Sequence, residues 1–172
     1  MEVRVNKKEF VELVRSIYDN AEKKGFHKEE RSEEREILLL TEEIMEIYKA
    51  FRKGNLFEQC DKDIPNYTYF QEEPSDIVIR WLDFIAEEGD ESIEMAYDLL
   101  PKKPIKPIRD IEDACYRMTQ YNLIFGIREK NFVKQFEIIS ALFNGYDYDL
   151  WESIKTKHEF NKTRPYLHGK KF

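Results

Sequence analysis

Apolar residues recur along most of this chain at the three- and four-residue spacing of a helix rather than the two-residue spacing of a strand. Residues 6–24 carry Phe10, Leu13, Val14 and Ile17 on one stripe, and Gly25 supplies a stop. A charged stretch over 27–36 follows, in which Ser32 is a candidate N-cap ahead of acids that suit a helix dipole. The spacing then predicts a helix over about 34–53, closed by Gly54-Asn55. Ile37, Leu40, Ile44, Ile47 and Phe51 form its main face. Leu39 and Ala50 on one side, and Thr41 and Tyr48 on the other, widen that face until the helix is expected to be buried nearly all round. Residues 56–71, with Pro65 and the aromatics Phe57, Tyr67, Tyr69 and Phe70, read as a loop. A third helix begins near Glu72-Glu73-Pro74 and ends at Gly89. Its apolar residues, Trp81, Leu82 and Phe84 among them, leave only a narrow polar strip of Glu73, Asp76, Arg80, Asp83 and Glu87.

Further helices are predicted over 91–100, 111–125, 131–143 and, capped by Asp149, 150–161. The segment PKKPIKPIRD between the first two of these cannot be helical throughout. It is too short to divide the chain, so a single all-α domain over 1–172 is expected. With 172 residues, 41% hydrophobic, and only six Gly and six Pro, the chain can build one sizeable helical core. A formal net charge of −7 argues against a nucleic-acid polymer as partner and suits a ligand that arrives with divalent cations. The charge is uneven, because residues 157–172 hold five Lys and Arg against the single acid Glu159. Cys60 and Cys115 lack the spacing of a zinc site or a disulfide framework. The first residues have no apolar signal core, and no apolar run approaches membrane-spanning length. A cytoplasmic protein with reduced thiols and no membrane partner is expected.

Two acid pairs carry the candidate chemistry: Glu43-x-x-Glu46 on the second helix and Glu73-x-x-Asp76 at the start of the third. Residues three apart are neighbours on a helix face, so each pair can aim two carboxylates at one point. Acids are also the commonest filler of solvated helix surfaces, and spacing alone does not separate the two readings. The wide apolar envelope of both helices favours burial, where an unpaired carboxylate costs several kcal/mol. A divalent cation relieves that cost, and oxygen-only ligands suit Mg²⁺ or Mn²⁺. His27, His158 and His168 show no spacing for a histidine metal site, and no Gly-rich phosphate loop is present.

The two pairs, EIME and EPSD, with their flanks LLLTEEIMEIYKAFRKGN and DIVIRWLDFIAEEG, resemble the MazG-like, all-α NTP pyrophosphohydrolase superfamily. The ending KHEFNKTRPYLHGKKF resembles the Lys-x-x-x-Asn-x-x-Arg-Pro…His-Gly-Lys terminus of one branch. The likeness covers residues 37–89 and 157–172. It implies a helical bundle around a carboxylate-lined site, with Mg²⁺ held by Glu43, Glu46, Glu73 and Asp76 and cleavage of a nucleoside triphosphate between its α- and β-phosphates. It also implies a homodimer or homotetramer. Glu42 or Glu46 is then the candidate for orienting or deprotonating the attacking water. Lys157, Arg164 and Lys170 are candidates for the phosphate tail, and Asn161 for a base or sugar edge. One feature departs from the pattern: Pro74 follows Glu73, which predicts a terminal or capping place for Glu73 rather than an interior one.

Other readings compete. The basic ending reads equally as a solvated terminus. Tyr67, Tyr69 and Phe70 suit packing under a loop better than stacking on a base. Trp81 and Trp151 suit the core or an interface. A non-catalytic helical interaction protein, or a sensor that binds metal and nucleotide without turnover, could share the fold. A pure interaction module would have no use for four converging carboxylates.

Overall fold

The computed structural model describes residues 5–29 and 31–169. Among them seven α-helices follow in order: α1 (Lys7–Lys23), α2 (Glu33–Lys53), α3 (Tyr69–Glu87), α4 (Asp90–Leu99), α5 (Ile111–Phe125), α6 (Glu129–Gly145) and α7 (Leu150–Thr163). A short 3₁₀ turn, Tyr166–Gly169, closes the described chain. No strand forms among the described residues, only an isolated antiparallel bridge between Gln59 and Thr68.

The helix starts are chemically marked. Asn6 Oδ1 accepts from Glu9 N at 3.0 Å, Ser32 Oγ from Arg35 N at 3.3 Å, Asp110 from Asp113 N at 2.9 Å and Asp149 from Glu152 N at 3.0 Å. Gly54, at φ 76°, ends α2 in the left-handed conformation that glycine tolerates best.

Three expectations change. The segment 56–71 is not loop to its end, because α3 starts at Tyr69. Gln71 Oε1 accepts from Thr68 N at 3.2 Å and closes the first turn. Phe70, fully buried, is drawn into an aromatic nest with ring centroids 5.1 Å from Phe57 and 5.0 Å from Phe143. Glu73 is therefore interior to α3, and Pro74 lies inside the helix with no N–H to offer the Phe70 carbonyl. Second, α2 is not buried all round. α3 packs on one side and α5 on another, which leaves Leu38 69% exposed and Phe51 39% exposed. Third, the sixth helix is longer than the expected 131–143 and runs over Glu129–Gly145, so Gly145 is its last residue. A Cβ on Gly145 would lie 1.9 Å from the Ile108 carbonyl oxygen, so glycine is required there for close approach of the 100–110 connector.

Pairwise contacts set the directions. Gln71 meets Ser153 and Asp76 meets Lys157, so α3 and α7 run parallel. Ser16 meets His158, and Lys24 meets the carbonyls of Lys162 and Arg164, so α1 runs the same way. α2 is antiparallel to α3: Glu43 lies beside Arg80, while Glu36 shares Arg31 with Asp83. One continuous core takes residues from all seven helices, including Trp81 and Trp151 as expected, and a small satellite forms around Cys60, Ile64 and Tyr67. No helix among the described residues is long and apolar enough to cross a membrane.

Candidate metal centre and cleft

The antiparallel pairing of α2 with α3 brings Glu43 against Glu73 and Asp76. One carboxylate oxygen from each lies within 4.8 Å of the others. Glu43 and Glu73 are each 7% exposed, and Asp76 is half-buried, so the trio opens on one side. Two cations meet it. Arg80 donates to Glu43 Oε1 through Nε at 2.9 Å and Nη2 at 2.7 Å. Lys157, with no exposed surface, bridges Asp76 Oδ2 and Glu72 Oε1, each at 2.7 Å. Burial opposes the charge on Lys157, but Asp76 and Glu72 outweigh it and raise its pKa. Glu73 makes no ion pair among the described residues. Burial first, then the charges of Asp76, Glu72, Glu46 and Glu43, push its carboxyl up to about 9.

The trio forms part of the wall of a cleft of about 430 Å³ built by α1, α2, α3, α7 and the loops beside them. Glu42 and Glu46 both line it, Glu42 exposed and Glu46 half-buried. Glu46 stands outside the close trio, so the expected four-acid set resolves into three acids plus one on the wall. The same three-residue step keeps Glu73 and Asp76 together, so it is the way α2 settles against α3, and not the spacing, that leaves Glu46 outside. Lys62, from the loop before α3, lines the cleft 3.7 Å from Glu72 Oε1.

Two turns along α3 from Asp76 a second ionic group borders the cleft. Arg31 donates through Nη1 to Asp83 Oδ2 at 2.9 Å and through Nε to Glu36 Oε1 at 3.0 Å, and its guanidinium lies over the Phe84 ring. His27 Nε2 approaches Asp83 at 3.0 Å. The polar strip read along α3 is thus real, and it faces the cleft through Glu73, Asp76, Arg80 and Asp83.

The C-terminal candidates separate. Lys157 is sealed between two carboxylates and does not line the cleft, which corrects its assignment to the phosphate tail. Asn161 and Arg164 do line it. Lys170 lies outside the described residues. The ending is not simply solvated. Leu167 N donates to Lys24 O at 2.8 Å, and the Tyr166 ring lies so close over Gly25 that a Cβ there would fall 2.2 Å from it. Tyr67, Tyr69 and Phe70 pack away from the cleft. Tyr67 is buried with its hydroxyl 2.8 Å from the Ser153 carbonyl.

Sequence reasoning passed over Glu72, Lys62, Arg31 and the α1 wall. The doubled acid Glu72-Glu73 was a visible signal for the first. Nothing in the spacing marks the other three, which meet the site only through tertiary packing. No protein-family model, curated protein or solved structure matches the chain.

Proposed function

We propose that this chain is a Mg²⁺-dependent nucleoside triphosphate pyrophosphohydrolase that works in this cleft, with the helical architecture of the MazG-like proteins its motifs resemble. The observation that carries the reading is Glu73. It is a carboxyl nearly removed from water, faced by two more acids, with no basic residue paired to it among the described residues. Such a group is costly unless a cation completes it. Glu43, Glu73 and Asp76 supply hard oxygen donors of the kind Mg²⁺ or Mn²⁺ accepts. A bound ion would neutralise charge that builds on the phosphates during cleavage.

The chain's own residues supply the remainder. Arg80 and Lys157 fix the carboxylates of Glu43 and Asp76, so neither has to be ordered when the ion arrives. Glu46 and Glu42, on the cleft wall and outside the trio, are placed to take the proton of the attacking water. Lys62 and Arg80 stand beside the trio, where the phosphate tail would lie, and Arg164 adds a further cationic group. The volume falls within the roughly 300–1,000 Å³ typical of small-molecule sites. The described walls come from one chain, and the homodimer or homotetramer suggested by the motifs would add to a cleft already formed.

The test is product analysis by ³¹P NMR with a panel of NTPs and dNTPs, in Mg²⁺ and in EDTA. Monophosphate plus pyrophosphate, formed only with metal, is expected. Metal binding without turnover across the panel points to a sensor, and absence of both returns the chain to an interaction protein. Of Glu46→Gln and Glu42→Gln, the one that removes the proton acceptor lowers kcat by about 10²–10⁴-fold and leaves Mn²⁺ binding, read by EPR, within about twofold.

A further inference from the structure

The connector between α4 and α5, PKKPIKPIRD over residues 101–110, lines no part of the cleft and forms neither helix nor strand. Pro101, Pro104 and Pro107 recur at every third residue. Each ring fixes φ near −65° and biases the residue before it towards extended backbone, so the sequence favours polyproline II, a helix of three residues per turn. Exposure follows that period. Ile105 and Ile108 are half-buried, and Ile108 packs against the core. Pro104 and Pro107 are exposed, and so are Lys103, Lys106 and Arg109. One edge of the segment therefore faces the protein, while a proline edge and a cationic edge face solvent.

The inner edge is pinned to the end of α6. Asn144 Nδ2 donates to the Ile105 carbonyl at 3.2 Å, and Ile108 N to the Ala141 carbonyl at 3.0 Å. Arg109 Nε donates to the Gly145 carbonyl at 2.6 Å, and the Tyr146 hydroxyl to the Arg109 carbonyl at 2.8 Å. None of these bonds uses the proline edge. Lys103, Lys106 and Arg109 make no ion pair among the described residues, although the chain carries a net charge of −7. The neighbouring acid, Asp110, is taken up as the cap of α5.

We propose that residues 103–109, Lys-Pro-Ile-Lys-Pro-Ile-Arg, are a docking surface for a protein module that reads polyproline II through an aromatic-lined groove with carboxylates at one end. Pro104 and Pro107 give the Pro-x-x-Pro spacing that such grooves take, and Arg109 follows at the position of a flanking cation. A groove of this kind grips two edges of its ligand and leaves the third outside. Here the two outward edges are the ones it needs, and the third is already seated on the core. Aromatic faces and carboxylates complement the cationic edge. The fold holds the segment extended, so binding does not have to order it. The proposal is independent of the cleft and of what is hydrolysed there.

The test titrates the full chain into a panel of purified, ¹⁵N-labelled SH3 domains that select Pro-x-x-Pro-x-Arg, with amide shifts as the readout. Binding is expected, with shifts confined to the aromatic groove, and a free peptide of residues 101–110 is expected to bind the same domain about tenfold more weakly. Pro104→Ala and Pro107→Ala each remove a ring from the groove and are expected to weaken binding about tenfold. The same changes should lower the melting temperature by no more than about 4 °C. No binding across the panel, or shifts away from the groove, overturns the proposal. Binding that falls with added salt and with Lys103→Glu plus Lys106→Glu, yet ignores both proline changes, also overturns it and leaves an electrostatic patch for an acidic partner. Self-association in sedimentation that Pro107→Ala abolishes, with no domain bound, overturns it in favour of a second copy of the chain.

Discussion

Two buried polar clusters lie on either side of the α2–α3 layer, and they differ in whether they are complete. Between α2, α5 and α6, Asn122, Asn131 and Gln135 are fully buried and use one another up. Asn131 Nδ2 donates to Asn122 Oδ1 at 3.1 Å and to the Gly126 carbonyl at 2.8 Å, and Gln135 Nε2 donates to Asn131 Oδ1 at 2.9 Å. Asn122 Nδ2 reaches Thr41 Oγ1 at 3.1 Å, and Gln135 Oε1 accepts from the Trp81 indole at 3.3 Å. On the cleft side the groups are charged and the set does not close. Glu73 has no ion pair among the described residues, and Glu72 Oε2 and Asn161 Oδ1 have no hydrogen bond. Polar burial that satisfies itself specifies a fold, whereas polar burial left open points to something that arrives later.

The sharpest way to break this comparison is Glu73→Gln. If the open cluster awaits an ion, the change lowers kcat/KM by more than about 100-fold, roughly 3 kcal/mol of lost charge stabilisation. It also weakens Mn²⁺ binding. In EDTA at pH 8 the same variant should melt higher than the wild type, because Gln stands in for a carboxyl that the fold prefers uncharged. A variant that lost activity and also melted lower in EDTA would show Glu73 to be an ordinary structural acid.

Next in size is Lys157→Met, which strands Glu72 and Asp76 as buried charges. A loss of about 3–5 kcal/mol is expected, seen as a melting temperature lower by roughly 6–20 °C. Adding Glu72→Gln removes one stranded charge and should recover part of it. Were Lys157 instead a phosphate ligand, stability would hardly move.

Much of this was legible beforehand. Ser32, Gly54 and Asp149 mark helix ends by local chemistry, and those ends fall where the residues put them. The strip Glu73, Asp76, Arg80 and Asp83 could be read because helical period alone decides which residues share a face. The partners could not. That Arg80 takes Glu43, that Lys157 is sealed under Asp76 and that Glu46 falls outside the trio depend on how α2 and α7 settle against α3. Pro74 misled because its local bias was outweighed by the burial of Phe70, which pulls the helix start one turn earlier.

A smaller contrast sets one amide against another. Asn131→Ala breaks the closed ladder and leaves its partners unsatisfied, for a loss of about 1–3 kcal/mol in urea unfolding with Mn²⁺ affinity unchanged. Asn161→Ala removes an acceptor without a partner and should cost clearly less. Equal losses at the two sites would erase the distinction between closed and open clusters.

The gentlest probe is pH, and its sign differs for two groups on the cleft walls. In the metal-free protein Glu73 titrates near 9 when folded, against an ordinary value of 4.5. Between those values the folded chain binds the extra proton, so this group's contribution to stability falls as pH rises through the window. His158 titrates near 4 when folded, against 6.5. There the unfolded chain binds the extra proton, so stability falls as pH drops from 6.5 towards 4. The two oppose each other below pH 6.5, and of the two only Glu73 acts above it. Urea unfolding in EDTA should therefore show stability declining from pH 6.5 to 8, below the range in which the buried Cys60 and Cys115 thiols contribute, by at most about 1.4 kcal/mol per pH unit, the worth of one proton. Saturating Mg²⁺ should flatten that decline, since an ion on Glu43, Glu73 and Asp76 holds all three carboxylates ionised when folded. Glu73→Gln should flatten it without metal. A decline that survives Glu73→Gln would belong to another group and would take from the trio its claim to be the unfinished part of this fold.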